Sequence, residues 1–377
     1  MALVADSCEI TSNGFLHEIL FIANIGMLTS LLSMIATFMI ITYVFYKGTF
    51  SLPTVKPLLH LTIADFFLSY VWFSSNLDYM SNKNANYTKS LARHCLVWQV
   101  LAEVLHLTTF GFTINYSVNI FLTMKEKTQF GYVYADLNVQ HQANHQQRVT
   151  ERVDKVKKVL YYMFWILPPL SMLPILSKIE DKHICLCERC VILIDVPRLV
   201  HLDLFYQSYG YVLLACALVA SMISVVVLYI LTLRMYWKTA PGYCTDRERK
   251  KLKNLQRRIT SYVVVFLICW FPALAISIMK SYEMMYYRGK RLKQRDITQF
   301  YWLYLLQAIL TPLQGFFNTI VYGWTRRSFR RASRPLSEEK IFFADHETDS
   351  ALLRSPIDSE VEFSQSSLPA YGSDDED

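Results

Sequence analysis

One carboxylate in the middle of an apolar stretch raises the first chemical question. Asp65 sits in Leu61-Thr62-Ile63-Ala64-Asp65-Phe66-Phe67, and an ionisable group deep in a membrane helix has to face polar partners. The side chains able to serve it are Thr108, Thr109, Asn115 and Asn119 in a later apolar block and Asn318 in the last one. Such a cluster could hold a sodium ion or a proton whose occupancy differs between two helix packings. The plainer reading is a hydrogen-bonded structural acid.

A second group is Cys269-Trp270-Phe271-Pro272. Pro272 removes a backbone donor and crowds the preceding turn, so a helix is expected to kink there. Trp270 is placed to floor a cavity and to repack when the kink changes, as a switch requires. A third group is Thr311-Pro312, then Gln314-Gly315-Phe316-Phe317-Asn318, then Tyr322. It combines a kink, a close-packing glycine, two intramembrane amides and a tyrosine near the helix end. Interhelical amides also serve as structural glue. Ligand recognition falls to Trp72, Trp98, Gln99, Glu103, His106 and Gln307, because aromatic walls with a few polar groups make a small-molecule pocket. Glu103 and His106 are one helical turn apart. Pairing with each other is the plainer expectation, and contact with a cationic ligand is the alternative.

These residues need membrane helices to position them. The chain is 53% hydrophobic and only 18% charged, against about 25% charged in a soluble domain. Its 24 Tyr and 23 Phe outnumber its 38 Lys and Arg. The apolar residues form seven blocks, at 19–46, 57–79, 95–124, 159–176, 206–236, 259–279 and 300–324. A helix needs roughly 20 such residues to cross about 30 Å of hydrocarbon. The third block is the least secure by hydropathy, because it carries Glu103, His106, Asn115 and Asn119. A helix that polar belongs at the centre of a bundle. The expected fold is an all-α membrane protein, a seven-transmembrane helix bundle with the N-terminus outside and the C-terminus cytoplasmic.

The orientation follows from charge. No Lys or Arg precedes the first block, whereas Lys47 and Lys56 follow it, and basic loops stay inside. The start has no basic n-region, so the first helix is expected to act as its own insertion signal. Arg288, Lys290, Arg291, Lys293 and Arg295 run against the trend in the loop before the last helix. Two further clues point the same way. Asn86-Tyr87-Thr88 is a glycosylation sequon in a loop this topology places outside. Cys95 opens the third helix, and Cys185, Cys187 and Cys190 cluster before the fifth, on the side where disulfides persist. A bridge from Cys95 to that loop is expected. All three partners stay open, with Cys187 slightly favoured, and Cys8 could take a leftover thiol. Cys216 and Cys269 are mid-helix and read as small apolar residues.

The predicted domains are a short extracellular N-terminus (1–18), a receptor-like membrane domain (19–324), an amphipathic juxtamembrane helix (325–334) and a disordered Ser-rich acidic cytoplasmic tail (335–377). The loop over 125–158 is long and polar and ends in a basic helical run. Arg247, Arg249, Lys250 and Lys251 begin a helical, positively charged extension of the sixth helix. Basic segments of this kind hold topology and touch lipid headgroups, and they can also dock a G protein.

The order of these features resembles a rhodopsin-like receptor in part: Asp65 on the second helix, Cys95 heading the third, and Cys-Trp-x-Pro at Cys269 to Pro272 on the sixth. The seventh lacks Asn-Pro-x-x-Tyr. Its Gln-Gly-Phe-Phe-Asn form resembles the secretin/adhesion and slime-mould cyclic-AMP receptor types. Cys269-Trp270-Phe271-Pro272, Leu305-Leu306-Gln307-Ala308, Gln314-Gly315, Asn318 and Val321-Tyr322-Gly323-Trp324 together are similar to the transmembrane protein 116 family. The match is specific over helices six and seven and diffuse elsewhere. The resemblance implies an orphan receptor-like protein and a fold, with little chemistry. The expected function is a G-protein-coupled receptor driven by an extracellular ligand, with a heterotrimeric G protein as partner and the plasma membrane as the default location. Phosphorylation of the Ser-rich acidic tail could recruit arrestin or serve sorting. One departure matters. Where rhodopsin-like receptors carry an acid-Arg-Tyr motif, this chain reads Asn119-Ile120-Phe121-Leu122-Thr123-Met124-Lys125-Glu126, so the usual ionic lock is missing. That favours the alternative, a non-coupling receptor-like scaffold or trafficking protein, and Asp349-Ser350-Ala351-Leu352-Leu353 resembles an acidic dileucine sorting signal.

Other classes fit less well. A seven-helix zinc hydrolase needs several intramembrane His residues and a carboxylate, but only His60 and His106 lie within the blocks. A retinal protein needs a Lys in the seventh helix, and there is none. A transporter usually shows paired broken helices in two repeats, and no repeat is visible. Neither an enzymatic activity, a metal site nor a nucleic-acid partner is expected.

Overall fold

Inside hydrocarbon a backbone can satisfy its N–H and C=O groups only in a helix or a closed barrel, and the apolar blocks fold as helices. The computed structural model describes residues 13–48, 55–81, 89–133, 139–176, 204–239, 246–286 and 296–325. Among them are seven helices and no strand: α1 (Asn13–Tyr46), α2 (Lys56–Ser81), α3 (Lys89–Val133), α4 (Val139–Leu176), α5 (Leu204–Thr239), α6 (Asp246–Tyr286) and α7 (Asp296–Thr325). The chain divides into two units, Met1–Thr325 and Arg326–Asp377. The expected juxtamembrane helix, beyond Thr325, and the acidic tail lie outside the described residues.

Local chemistry sets several helix ends. α1 stops at Gly48, whose φ of 61° suits a left-handed helix cap, and its N–H donates to the Phe45 carbonyl at 3.0 Å. α2 opens on Lys56 and Pro57, because a first-turn proline gives up no helical hydrogen bond. α6 starts at Asp246 and carries Pro272 inside a single helix, so the basic run at 247–253 is its helical extension. The expected loop over 125–158 is mostly helix, since α3 continues to Val133 and α4 begins at Val139. Gln, Glu, Lys and Arg in that stretch are good helix formers, and water can solvate them beyond the apolar layer.

The helices form a closed ring. α1 packs on α2 and α7, α2 also on α3 and α7, and α6 on α5 and α7. α3 is the hub, touching α2, α4 and α5, while α4 rests on α3 with only slight contact to α5. One cluster of Ile22, Leu68, Trp72, Leu105, Ile276 and Tyr304 draws side chains from five helices into one core.

Six of the seven helices are long and apolar enough to cross a membrane by composition alone. α7 falls short, although it packs as tightly as any. The weakest helix by hydropathy is therefore the seventh rather than the third. Gln307, Thr311, Gln314 and Asn318 lower its apolarity, and all four are buried against the bundle. Several hydroxyls on the other helices are satisfied within their own helix. Thr37, Thr62, Thr113 and Ser117 each donate to the carbonyl four residues back, which lets them lie in an apolar layer.

Candidate functional site

The polar residues of α2, α3, α6 and α7 meet inside the bundle at several levels. At the first, Asp65 Oδ2 accepts a hydrogen bond from Asn318 Nδ2 at 2.8 Å, and Asp65 Oδ1 has no hydrogen-bond partner. Ser69 donates to the Asp65 carbonyl at 2.8 Å and shares a hydrogen bond with Ser33 of α1 at 3.0 Å. Gly315 makes this meeting possible. A Cβ there would come within 2.7 Å of Ser33 Oγ and Thr37 Cγ2 and 3.1 Å of Asp65 Cβ. Without one, α7 lies close to α1 and α2, and Asn318, one turn further on, reaches Asp65.

Of the partners expected for Asp65, Asn318 is the one bonded to it. The candidates on α3 turn elsewhere. Thr108 donates to the Val104 carbonyl at 2.8 Å. Asn119 Nδ2 donates to the carbonyl of Asn115 at 2.8 Å and to its Oδ1 at 3.0 Å. Asn115 lies beside Tyr161 of α4, and Thr109 is buried with no hydrogen-bond partner for its hydroxyl.

At the next level Trp270 is fully buried and joins three helices. Its Nε1 donates to Gln314 Oε1 of α7 at 2.5 Å. Its ring meets two α3 rings edge-on, Phe110 at 4.5 Å and His106 at 5.1 Å between centroids. Aromatic pairs of this geometry contribute about 0.5–1.5 kcal/mol each beyond the area they bury. Pro272, two residues on, is buried in the same helix; Ile268, four residues back, therefore has no amide to receive there.

His106 Nε2 accepts from Trp72 Nε1 at 3.4 Å, and its Nδ1 has no hydrogen-bond partner. The expected Glu103–His106 pair is thus not formed. Glu103 Oε1 instead accepts from Gln99 Nε2 at 3.5 Å, and its carboxylate lies by Gly210 of α5 and Ile175 of α4. Three residues on a helix leave about 60° between two side chains. That angle is enough here for one to face α5 and the other α2 and α6.

The six residues expected to line a ligand pocket therefore separate into two sets. Trp72, His106 and Gln307 lie in the closed core, and neither amide atom of Gln307 has a hydrogen-bond partner. Trp98, Gln99 and Glu103 form the other set: Trp98 is half-buried against the core cluster and donates to Asp78 Oδ2 at 2.6 Å, and Gln99 is bonded to Glu103. A small crevice of about 10 Å³, room for no more than a water, opens nearer the start of α6, lined by Thr113, Tyr116, Tyr262, Phe266, Gln314 and Asn318 among others. Tyr116 and Tyr262 stack edge-on across it at 4.8 Å, and Tyr322 is buried.

Sequence reasoning missed Ser33, Ser69, Phe110, Tyr116 and Tyr262. Two signals were available. Ser30, Ser33 and Thr37 form a small polar stripe on an otherwise apolar helix, and Phe110 is one turn beyond His106. Arg247, Arg249, Lys250 and Lys251 lie in the first turns of α6, with side chains outside those described. Asn86 and Cys187 also lie outside the described residues. Cys95 is buried and engaged with a partner, whereas Cys216 and Cys269 are free. Among the described residues no group of three His, Cys, Asp or Glu could hold a metal ion.

A multi-pass helical bundle with an interior acid held by an amide, and a tryptophan joining three helices at its centre, is a receptor-like membrane protein. Similarity to named receptors agrees with this class. The chain is 26% identical over 298 residues to the Cyclic AMP receptor-like protein C of Dictyostelium discoideum, covering 75% of this chain and 68% of that protein. It is 30% identical over 110 residues to the Allatostatin-A receptor of Bombyx mori, covering 29% of this chain and 28% of that one. The chain belongs to the transmembrane protein 116 family, whose model matches residues 20–359.

Proposed function

We propose that this chain is a G-protein-coupled receptor in which an extracellular ligand rearranges α6 against α3 and α7. The observation that carries the reading is Trp270. Its side chain touches His106 and Phe110 on α3 and also bonds Gln314 on α7. Gln314 in turn lines the crevice near the start of α6. A ligand that displaces His106 or Trp72 would strain the Trp270 packing, and repacking there would move α6. Interfaces of this kind switch between discrete packings rather than deform smoothly.

The rest of the reading follows. The N-terminus lies outside, Asn86 carries a glycan, and Cys95 is bridged to the loop before α5, with Cys187 as partner. The burial of Cys95 and its engagement with a partner support the bridge. Trp98, Gln99 and Glu103 guard the entry, and Gln307 offers both amide atoms to the ligand. Asp65 Oδ1, buried and without a hydrogen-bond partner, supports a sodium ion held with Asn318 and the Ser33–Ser69 hydroxyls. Arg247, Arg249, Lys250 and Lys251 dock the G protein, and the acidic tail offers phosphorylation sites to arrestin. The receptor works at the plasma membrane and has no catalytic role. Similarity to a cyclic AMP receptor-like protein and to an allatostatin receptor supports this assignment.

A second reading, a non-coupling scaffold or trafficking protein, is favoured by one observation. Asn119 stands where an ionic lock would begin, and it is bonded to Asn115 within its own helix. The two readings separate in a dissociation assay across a panel of heterotrimeric G proteins in cells. One G-protein class should dissociate, with the signal lost in Trp270→Ala and in a variant neutralised at Arg247, Arg249, Lys250 and Lys251, both present at the surface. Silence of the wild-type chain across the panel, basally and with broad ligand libraries, gives the answer to the scaffold.

A further inference from the structure

Two of the membrane spans begin on a lysine at the same face of the bundle. The apolar stretch of α2 runs from Lys56 to Ser81, and that of α4 from Lys158 to Leu176. As second and fourth helices of an alternating bundle, both enter the membrane from one side. The Lys56 ammonium is not simply extended into water. It lies over the ring of Tyr161 on α4, 5.3 Å from the centroid. Lys158 precedes Tyr161 by three residues, so the two side chains share one face of α4. Both lysines are exposed. The Lys56 ammonium thus rests on Tyr161, and Lys158 stands one turn before that ring on α4.

Tyr161 is a fixed platform rather than a mobile surface ring. It is 8% exposed, 4.8 Å from the His60 ring of α2 and 6.4 Å from Phe112 of α3. His60 is held in turn by Trp165, whose Nε1 donates to His60 Nδ1 at 3.3 Å, and by stacking on Phe112 at 5.5 Å. Three helices thus position the ring that positions Lys56. Beside it α4 is open and apolar, with Val159, Tyr162 and Ile166 all more than half exposed.

We propose that Lys56 and Lys158 grip the phosphate of an anionic phospholipid whose acyl chains lie along Val159, Tyr162 and Ile166. Like charges brought together at an interface are stabilised by a shared anion, and a phosphate between two ammonium groups supplies it. The apolar face continuous with the lysines selects a lipid over a soluble anion, because a free phosphate gains nothing from that face. Lys47 marks the contrast. Its ammonium also lies over a ring, 5.7 Å from the Tyr46 centroid, but Tyr46 is its own chain neighbour and is 83% exposed. That pair is a solvated lysine at the same boundary, without a platform from other helices.

The test is native mass spectrometry of the purified full chain, titrated with dioleoyl phosphatidic acid against dioleoyl phosphatidylcholine. Wild type and Lys47→Gln should each retain a tightly held phosphatidic acid. Lys56→Gln/Lys158→Gln should bind it about thirtyfold more weakly, since each lysine near a membrane surface contributes about 1 kcal/mol towards an anionic lipid. Lys56→Arg/Lys158→Arg should restore binding, which separates loss of the site from loss of the fold. Three results would overturn the proposal. They are equal binding by wild type and the double Gln variant, an equal loss in Lys47→Gln, and displacement of the lipid by millimolar inorganic phosphate.

Discussion

α3 and α4 lie side by side and use the membrane in opposite ways. The span of α3 carries Glu103, His106, Asn115 and Asn119, yet most of it is buried within the bundle. The span of α4 is apolar almost throughout, and little of it is buried. In a soluble protein the apolar helix would be the inner one. Lipid removes that preference, because acyl chains solvate Leu as well as another Leu does. Polar groups decide the inside here, since the bundle interior is where they find partners. α4 also tolerates Pro168, Pro169 and Pro174, as a helix at the rim can.

Substitutions on the two sides should therefore differ by size of effect, and each one can break the contrast. The largest loss belongs to Trp270→Ala. It empties a fully buried ring site and leaves Gln314 Oε1 without its donor, costing about 3–5 kcal/mol. A clear fall in thermal stability of the detergent-purified protein is expected, and an unchanged melting temperature would mean the core is looser than the ring contacts require. Gly315→Ala should cost less, about 1–3 kcal/mol, because the new methyl meets Ser33, Thr37 and Asp65. The same assay reads it, and a loss similar to that of a lipid-facing change would deny the close approach of α7. The smallest effect belongs to the rim. Leu170→Ala and Leu173→Ala, each 52% exposed on α4, should change stability by under about 0.5 kcal/mol. A large loss there would mean that α4 packs against something other than lipid.

The site was legible to different depths. Asp65 announced itself, because a carboxylate has no other reason to lie in Leu-Thr-Ile-Ala-Asp-Phe-Phe. Trp270 and Gln314 were both singled out, but their mutual hydrogen bond was not foreseen, since 44 residues separate them. The Glu103–His106 pairing was expected from spacing and is absent, because one helical turn brings two residues near each other without making them face the same neighbour. The polar stretch at 125–158 was expected as a loop and is mostly helix. Hydropathy reports the thickness of the membrane rather than the length of a helix.

By itself the sequence determined that this chain crosses a membrane several times as helices, and which residue types had to lie inside. Both follow from local physics: a backbone in hydrocarbon must bond to itself, and a polar side chain there must find a partner. Tertiary structure alone decided which partner. Asn318 rather than any α3 residue meets Asp65, Trp270 joins α3 to α7, and Lys56 crosses to Tyr161 on α4. Those choices depend on how each helix is rotated and how closely it approaches its neighbours. Both are set by small residues such as Gly315 and Ser33 acting across helices far apart in the chain.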